Sequence, residues 1–271
     1  MPGFLRTFGH RLYTTWCVTW FLVPFLVTWP VQLGLSRFRA GLRGVHWLNR
    51  GWSKFQFLLY CTPRVVRGEP HPAAVRGAPV IFCANHSSYI DIPLLFAAIP
   101  GFTNIVGKAA LGQVPLWGGI FRRTYLTVDR RNVVSRGRSL MECARSLRTG
   151  RDLIIFPEGS IGPQPGRDLL PFKDGAFRLA IEQQVPIVPV TMPYNQRFFP
   201  DLEGGRLRLR RHRLLTIFHP PIHTTGLTLA DLPALRDQVR LIIESGLDPA
   251  SEPIDSPFLL PPQRGLAHDR T

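Results

Sequence analysis

The chain has 271 residues, 45% of them hydrophobic, enough to bury the core of an α/β domain with an appendage, which excludes a small disulfide-stapled module. Lys and Arg number 33 against 18 Asp and Glu, a net charge of +15, so the partner is anionic: nucleic acid, an acidic lipid surface or a phosphorylated substrate. The cysteines Cys17, Cys61, Cys83 and Cys143 lack metal-type spacing and sit on apolar segments, so they read as small buried residues, and no metal is expected.

From Leu12 to Leu35 there is no Asp, Glu, Lys, Arg or His over 24 residues, whereas a helix needs about 20 to cross the hydrocarbon core. Length permits a span. Pro24 and Pro30, with Trp16, Trp20 and Trp29 that prefer the headgroup level, favour an interfacial or re-entrant anchor. Arg6 and Arg11 precede the stretch and Arg37, Arg39 and Arg43 follow it, so charge gives no orientation. No small-residue cleavage site closes the run, which points to an uncleaved anchor.

Val45, Leu48, Trp52, Phe55 and Leu59 recur at steps of three and four, one apolar stripe of a helix, with Arg43, Arg50 and Lys54 off the stripe. Such a helix either lies in an anionic bilayer surface or packs on the domain that follows. Residues 1–78 hold ten Lys and Arg against Glu69 alone, a distribution that favours an anionic phospholipid membrane over nucleic acid. The expected organisation is an anchor and amphipathic helix over 1–66, an α/β domain over 78–248, and a Pro-rich, disordered tail over 249–271.

In that domain Pro79 to Ala84, Phe102 to Val106, Tyr125 to Val128, Leu153 to Phe156 and Val185 to Val190 read as strands. Val133 to Arg148, Phe172 to Gln184 and Leu227 to Ser245 read as helices. This alternation predicts a central mixed sheet flanked by helices. Arg206, Arg208 and Arg210 alternate with Leu207 and Leu209, a period of two that predicts a basic strand face, solvated or lipid-facing.

The chemistry-bearing residues follow strands. Asn85-His86-Ser87-Ser88-Tyr89-Ile90-Asp91 comes directly after the first strand of the domain, where open α/β sheets place their sites. On one helix, residues five apart point about 140° apart, so His86 and Asp91 meet only if His86 lies on the turn before the helix. A carboxylate beside a histidine fixes its tautomer and stabilises the imidazolium, which makes His86 a general base. A capping Asp beside a surface His has the same spacing. Val128-Asp129-Arg130 puts an Arg at a strand end, able to grip phosphate with two parallel hydrogen bonds. Phe156-Pro157-Glu158-Gly159-Ser160 follows another strand: Gly159 allows close backbone approach, and Glu158 can accept from a hydroxyl or orient a cation.

Asn85-His86 with Asp91 resembles the NHxxxxD motif of the glycerolipid acyltransferases, particularly the 1-acyl-glycerol-3-phosphate acyltransferases. Phe156-Pro157-Glu158-Gly159-Ser160 is similar to that family's third motif, Val128-Asp129-Arg130 to the end of its second, and Phe172-Lys173-Asp174-Gly175 to the segment after the third. Val185 to Val190 resembles its proline-containing fourth motif, and Lys108 matches a lysine often present after the first. The likeness spans Pro79 to Val190. It departs from the pattern at Thr124 and Thr127, where the family has a Gly and a large apolar residue, and at Ile161, where it commonly has an Arg that Arg167 could replace.

The resemblance implies transfer of a fatty acyl group from acyl-CoA or acyl-carrier protein to the free hydroxyl of 1-acylglycerol 3-phosphate, giving phosphatidic acid. His86 and Asp91 are the expected catalytic pair. Asn85, Lys108, Arg130 and the Phe156 to Ser160 segment are the expected substrate-binding set, with no cofactor beyond the thioester co-substrate. The expected location is a bacterial inner membrane, with the active site facing the cytoplasm and no nucleic-acid partner. Another lysolipid or glycerol 3-phosphate as acceptor, a thioester hydrolase, and a non-catalytic binder of anionic lipid are the competing readings.

Overall fold

A computed structural model describes residues 2–128, 133–162, 168–200 and 207–248. Seven strands, β1 (Arg64–Arg67), β2 (Ile81–Ala84), β3 (Thr103–Lys108), β4 (Leu126–Val128), β5 (Asp152–Ile155), β6 (Ile187–Thr191) and β7 (Leu214–Phe218), form one sheet in the order β1-β7-β6-β2-β5-β3-β4. Among the described strands, only β6 and β7 pair antiparallel; β2 is parallel to β5 and β6, and β3 to β4 and β5. This is the mixed, helix-flanked sheet that the alternation predicts. Because β2 to β6 all run the same way, five carboxyl ends meet at one edge.

Parallel neighbours need crossover connections, and helices supply them: α3 (Asp91–Ala98), α4 (Trp117–Thr124), α5 (Val133–Arg148) and α6 (Gly175–Gln183), with α8 (Leu232–Ser245) after β7. Each strand feeds two cores, since successive side chains point to opposite faces. Phe82 and Ala84 of β2 join Leu94, Leu95 and Phe121 on one side; Ile81 and Cys83 join Leu147, Phe177 and Val239 on the other. Both faces are covered, so the strands are nearly continuous apolar runs. The edge strand β1, which the sequence reading did not assign, bears the exposed Arg64 and Arg67 at its ends, charges that deter edge pairing.

Two N-terminal helices pack outside these layers. The first, α1 (Pro2–Leu35), is one continuous helix through Pro24 and Pro30, so the re-entrant anchor is corrected: the chain does not turn back. Its apolar window is only 11% buried, which separates it from a core helix, and Leu12, Phe21, Leu26, Val27 and Val31 stand exposed. Its 34 residues extend about 50 Å at 1.5 Å per residue, longer than the ~30 Å hydrocarbon core. The helix is long and apolar enough to cross a membrane. Trp16 Nε1 donates to the Leu59 carbonyl, and Trp29 Nε1 to the Leu116 carbonyl, both from α1 to the rest of the chain.

The second helix, α2 (Gly41–Leu59), divides its faces unexpectedly. Its apolar stripe meets α1, with Trp52 against Phe21 and Phe25, and Phe55 against Trp20. The face turned to the domain carries the buried His46, Asn49, Ser53 and Gln56. Asn49 donates to the Tyr125 hydroxyl and His46 Nε2 donates to the Gly101 carbonyl. Hydrophobic periodicity located the helix but not the face that docks, because polar residues such as His46 and Asn49 can be buried once they have fixed partners.

Two further expectations are corrected. Residues 207–213 form no strand: Arg208 and Arg210 are exposed around the buried Leu209 as the period of two implies, but the Leu209 N–H goes to Thr14 Oγ1 and the Arg210 N–H to the Phe198 carbonyl. Their backbone donors are taken by α1 and by the short helix that ends at Phe198 instead of a ladder. Cys61 is exposed, while Cys17, Cys83 and Cys143 are buried; it follows the end of α2, at a positive φ of 48°. Residues 249–271, where the tail was expected, lie outside the described residues.

His219, just after β7, sets an acid limit on stability. Burial pushes its imidazole down to about 4. Nε2 donates to Thr191 Oγ1, whose own proton goes to the Ile243 carbonyl. Unfolded, the ring titrates near 6.5. Between these values the unfolded chain holds the extra proton, so stability is full above pH 6.5 and falls as the pH drops toward 4, by on the order of 3 kcal/mol. His219→Gln is expected to flatten this slope in thermal melts at pH 4.5 and 7.5.

Candidate active site

The carboxyl edge of the sheet gathers the singled-out residues. Helix α3 begins at Asp91, and His86 lies on the non-helical turn before it, the placement that a five-residue separation requires. His86 Nδ1 is 2.8 Å from Asp91 Oδ2. The same oxygen accepts the backbone N–H groups of Ser87 at 2.8 Å and Ser88 at 2.9 Å. Asp91 Oδ1 accepts from Asn195 Nδ2 at 2.7 Å, and the Asp91 side chain is wholly buried. Four donors on a buried carboxylate compensate its desolvation.

Facing Asp91, His86 Nδ1 carries the proton, which leaves Nε2 with its lone pair. Nε2 has no partner among the described residues. The ring lies against Phe156, centroids 4.1 Å apart and planes 17° from parallel, and the side chain keeps 15% of its surface open. A neutral imidazole held on two sides, with one nitrogen free toward solvent, can take a proton from a hydroxyl.

The FPEG segment supports this turn from below. Glu158 is buried, and its two oxygens accept the His86 N–H at 2.7 Å and the Leu170 N–H at 2.8 Å. The carboxylate expected to meet a hydroxyl or a cation is turned inward, tying three chain segments together. Burial raises its pKa, against the two backbone donors, which lower it. Glu158→Gln would set an amide NH₂ against one of these N–H groups and leave a buried donor unpaired, a cost of about 1–3 kcal/mol. A lower melting temperature is expected, read from thermal melts of the variant beside the wild type.

Asn85 faces inward too: Nδ2 donates to the Met192 carbonyl and Oδ1 accepts the Met192 N–H, joining the ends of β2 and β6. Pro157 and Gly159 are buried and Ser160 is exposed. Gly159 has φ +81°, a backbone conformation that favours glycine, and the Lys173 side chain passes close over it. The Gly159 N–H is taken by the Phe156 carbonyl, which removes it as a donor to a developing oxyanion.

Lys108 ends β3 and is exposed, in register with Val128 at the end of β4. Arg130 and Arg167 lie outside the described residues. The structure thus joins His86, Asp91, Asn85, Phe156 and Glu158 in one network and sets Lys108 at the same sheet edge. Two residues belong with them that the sequence reading did not select. Lys173 comes to the site by its pass over Gly159. Asn195 opens the short helix α7 (Asn195–Phe198) after β6; a polar residue just beyond an apolar strand at the carboxyl edge was the available signal.

Residues 64–193 match the family model described as Acyltransferase. The chain is 33% identical over 183 residues to the 1-acyl-sn-glycerol-3-phosphate acyltransferase alpha of Homo sapiens, across 61% of this chain and 60% of that protein. It is 36% identical over 146 residues to a 1-acyl-sn-glycerol-3-phosphate acyltransferase of Cocos nucifera, across 53% and 46%. The chain therefore spans about three fifths of the first of these relatives and under half of the second. Among solved structures, the 1-acyl-sn-glycerophosphate acyltransferase PlsC of Thermotoga maritima has a similar fold, with a TM-score of 0.71 over 90% of this chain and 97% of that one at 24% identity.

Proposed function

We propose, from the match of residues 64–193 to the Acyltransferase family model, that this protein moves a fatty acyl group from a thioester to the free hydroxyl of 1-acylglycerol 3-phosphate, giving phosphatidic acid. The observation that carries the reading is the His86–Asp91 pair at 2.8 Å, with Nε2 open to solvent at the sheet's carboxyl edge. The names of the relatives give the acceptor.

In this reading His86 Nε2 removes the proton as the acceptor oxygen bonds to the thioester carbonyl carbon. Collapse of the tetrahedral adduct breaks the carbon–sulfur bond, and the imidazolium returns its proton to the departing thiolate. Asp91 holds the ring and balances its charge while the proton is on Nε2. Glu158 and Asn85 are positioning residues, since their side chains bond backbone groups. Lys108, Lys173 and Arg130 are the cations assigned to the acceptor phosphate. The chemistry needs no cofactor beyond the thioester, acyl-CoA or acyl-carrier protein, and Ser87 and Ser88 need form no covalent intermediate.

Acceptor and product are membrane lipids, so α1 and its exposed apolar face are assigned to the bilayer, with the site at the surface reached by the water-soluble donor, the cytoplasmic one. The test is transfer of a labelled acyl group from acyl-CoA and from acyl-carrier protein to a panel of lysolipids and glycerol 3-phosphate, in vesicles. Label in phosphatidic acid is the expected result. Label released as free fatty acid regardless of acceptor would instead make the protein a thioester hydrolase.

A further inference from the structure

Beyond the reacting pair, two cavities meet on the N-terminal part of α1. One, of about 710 Å³, is lined by His10, Arg197, Arg210, Arg211 and His212 around Tyr13. The other, of about 590 Å³, runs along α1 past Gly9, Leu12, Trp16 and Trp20, and it shares Tyr13 with the first. The first concentrates positive charge: among the described residues, the ion pairs lie elsewhere and none engages Arg197, Arg210 or Arg211. Two of these guanidiniums are oriented, Arg211 by a bond from Nε to the Cys61 carbonyl and Arg197 by the face of Tyr194. Arginine forks held in this way match phosphate oxygens. The second cavity is almost wholly apolar and starts where the uncharged stretch of α1 begins. A basic pocket beside an apolar groove, the two divided by Tyr13 on a helix assigned to lipid, fits one chemistry, a phosphate carrying a hydrocarbon chain.

We propose that these cavities form a binding site for an anionic phospholipid of the surrounding bilayer, distinct from the acceptor site, with the headgroup phosphate among Arg197, Arg210 and Arg211 and one acyl chain along Leu12, Trp16 and Trp20. The groove runs along the apolar part of α1 assigned to the bilayer, which selects a resident lipid over a soluble phosphate. Its occupancy is linked to the reacting pair through α7. Asn195 bonds Asp91 Oδ1, Arg197 stands in the pocket two residues on, and the Phe199 carbonyl accepts from Ser88 Oγ beside Asp91. A lipid that fixes Arg197 fixes the segment bearing Asn195, so anionic lipid is expected to raise turnover as well as to bind.

The test uses the full chain in neutral detergent, titrated with phosphatidylglycerol, phosphatidylcholine, inorganic phosphate and an acyl-CoA. Arg197→Gln/Arg210→Gln/Arg211→Gln is compared with a charge-matched control, Arg76→Gln/Arg145→Gln/Arg148→Gln, on exposed positions elsewhere. Saturable binding of phosphatidylglycerol is expected, weakened about 10-fold or more in the first variant and unchanged in the control. Turnover in vesicles should rise about fivefold with anionic lipid for wild type and control but not for the first variant. Equal loss of binding in both variants would reduce the effect to net charge and overturn the proposal. Inorganic phosphate binding as tightly as the lipid would also overturn it, as would displacement of the lipid by equimolar acyl-CoA. The binding arm needs no turnover, so it fails or holds independently of the acyltransferase reading.

Discussion

His86→Ala is expected to leave a folded, membrane-bound protein whose acyl transfer is slower by about 10²–10⁴-fold, the usual worth of a positioned general base. The fold should survive because Asp91 keeps three of its four donors, the Ser87 and Ser88 N–H groups and Asn195 Nδ2, when the imidazole is removed. The backbone N–H of residue 86 still reaches Glu158, whatever the side chain. What is lost is the acceptor for the hydroxyl proton, so an alcohol must attack the thioester unaided. The deficit should fall on kcat, with KM for the acceptor little changed, since in this reading the acceptor's phosphate is held by other residues. At about 1.4 kcal/mol per decade this is a barrier increase of about 3–5 kcal/mol. Initial rates of labelled transfer, with circular dichroism as the check on folding, make the measurement. A folded variant within about fivefold of wild type would remove His86 from the mechanism.

The legible part of this protein was the part written in short-range pattern. Apolar strands followed by polar clusters gave the α/β class, and the His86 to Asp91 spacing gave the turn on which the pair sits. Long-range bonds carried what stayed hidden. Nothing local says that Glu158 faces inward to the His86 and Leu170 backbone, because a carboxylate in a loop is equally able to face a ligand. Asn195 lies 104 residues from Asp91, a partner that only the parallel order of β2 and β6 brings near. The faces of α2 misled for a related reason: the apolar stripe was real, but its partner was α1, and the face turned to the domain buries His46 and Asn49, whose partners Gly101 and Tyr125 are far away in sequence. Leu207 to Arg210 had a strand's period without a strand's neighbour, so periodicity predicted sidedness and not pairing, and Arg206 lies outside the described residues.

Asp91→Asn is the sharper test of how the pair works, because the structure allows the charge to be removed with little disturbance. The amide oxygen of the new residue must take the place of Oδ2, where it still accepts from His86 Nδ1, Ser87 and Ser88. Its NH₂ then stands where Oδ1 stood, facing the NH₂ of Asn195, two donors at 2.7 Å. Asn195 can resolve this: its own Oδ1 is buried with no hydrogen-bond partner among the described residues, so turning its amide by 180° presents an acceptor to the new donor. Stability should therefore change by no more than about 1 kcal/mol, the worth of a single hydrogen bond. Turnover should nevertheless fall by about 10³-fold, because a neutral amide does not stabilise the imidazolium formed when Nε2 takes the proton. Melting and rate thus part company, which a purely structural Asp91 would not produce. An Asp91→Asn protein that melts normally and turns over within about tenfold of wild type would show that the carboxylate's charge is not used. One that loses stability and rate in proportion would show that Asp91 only holds the turn.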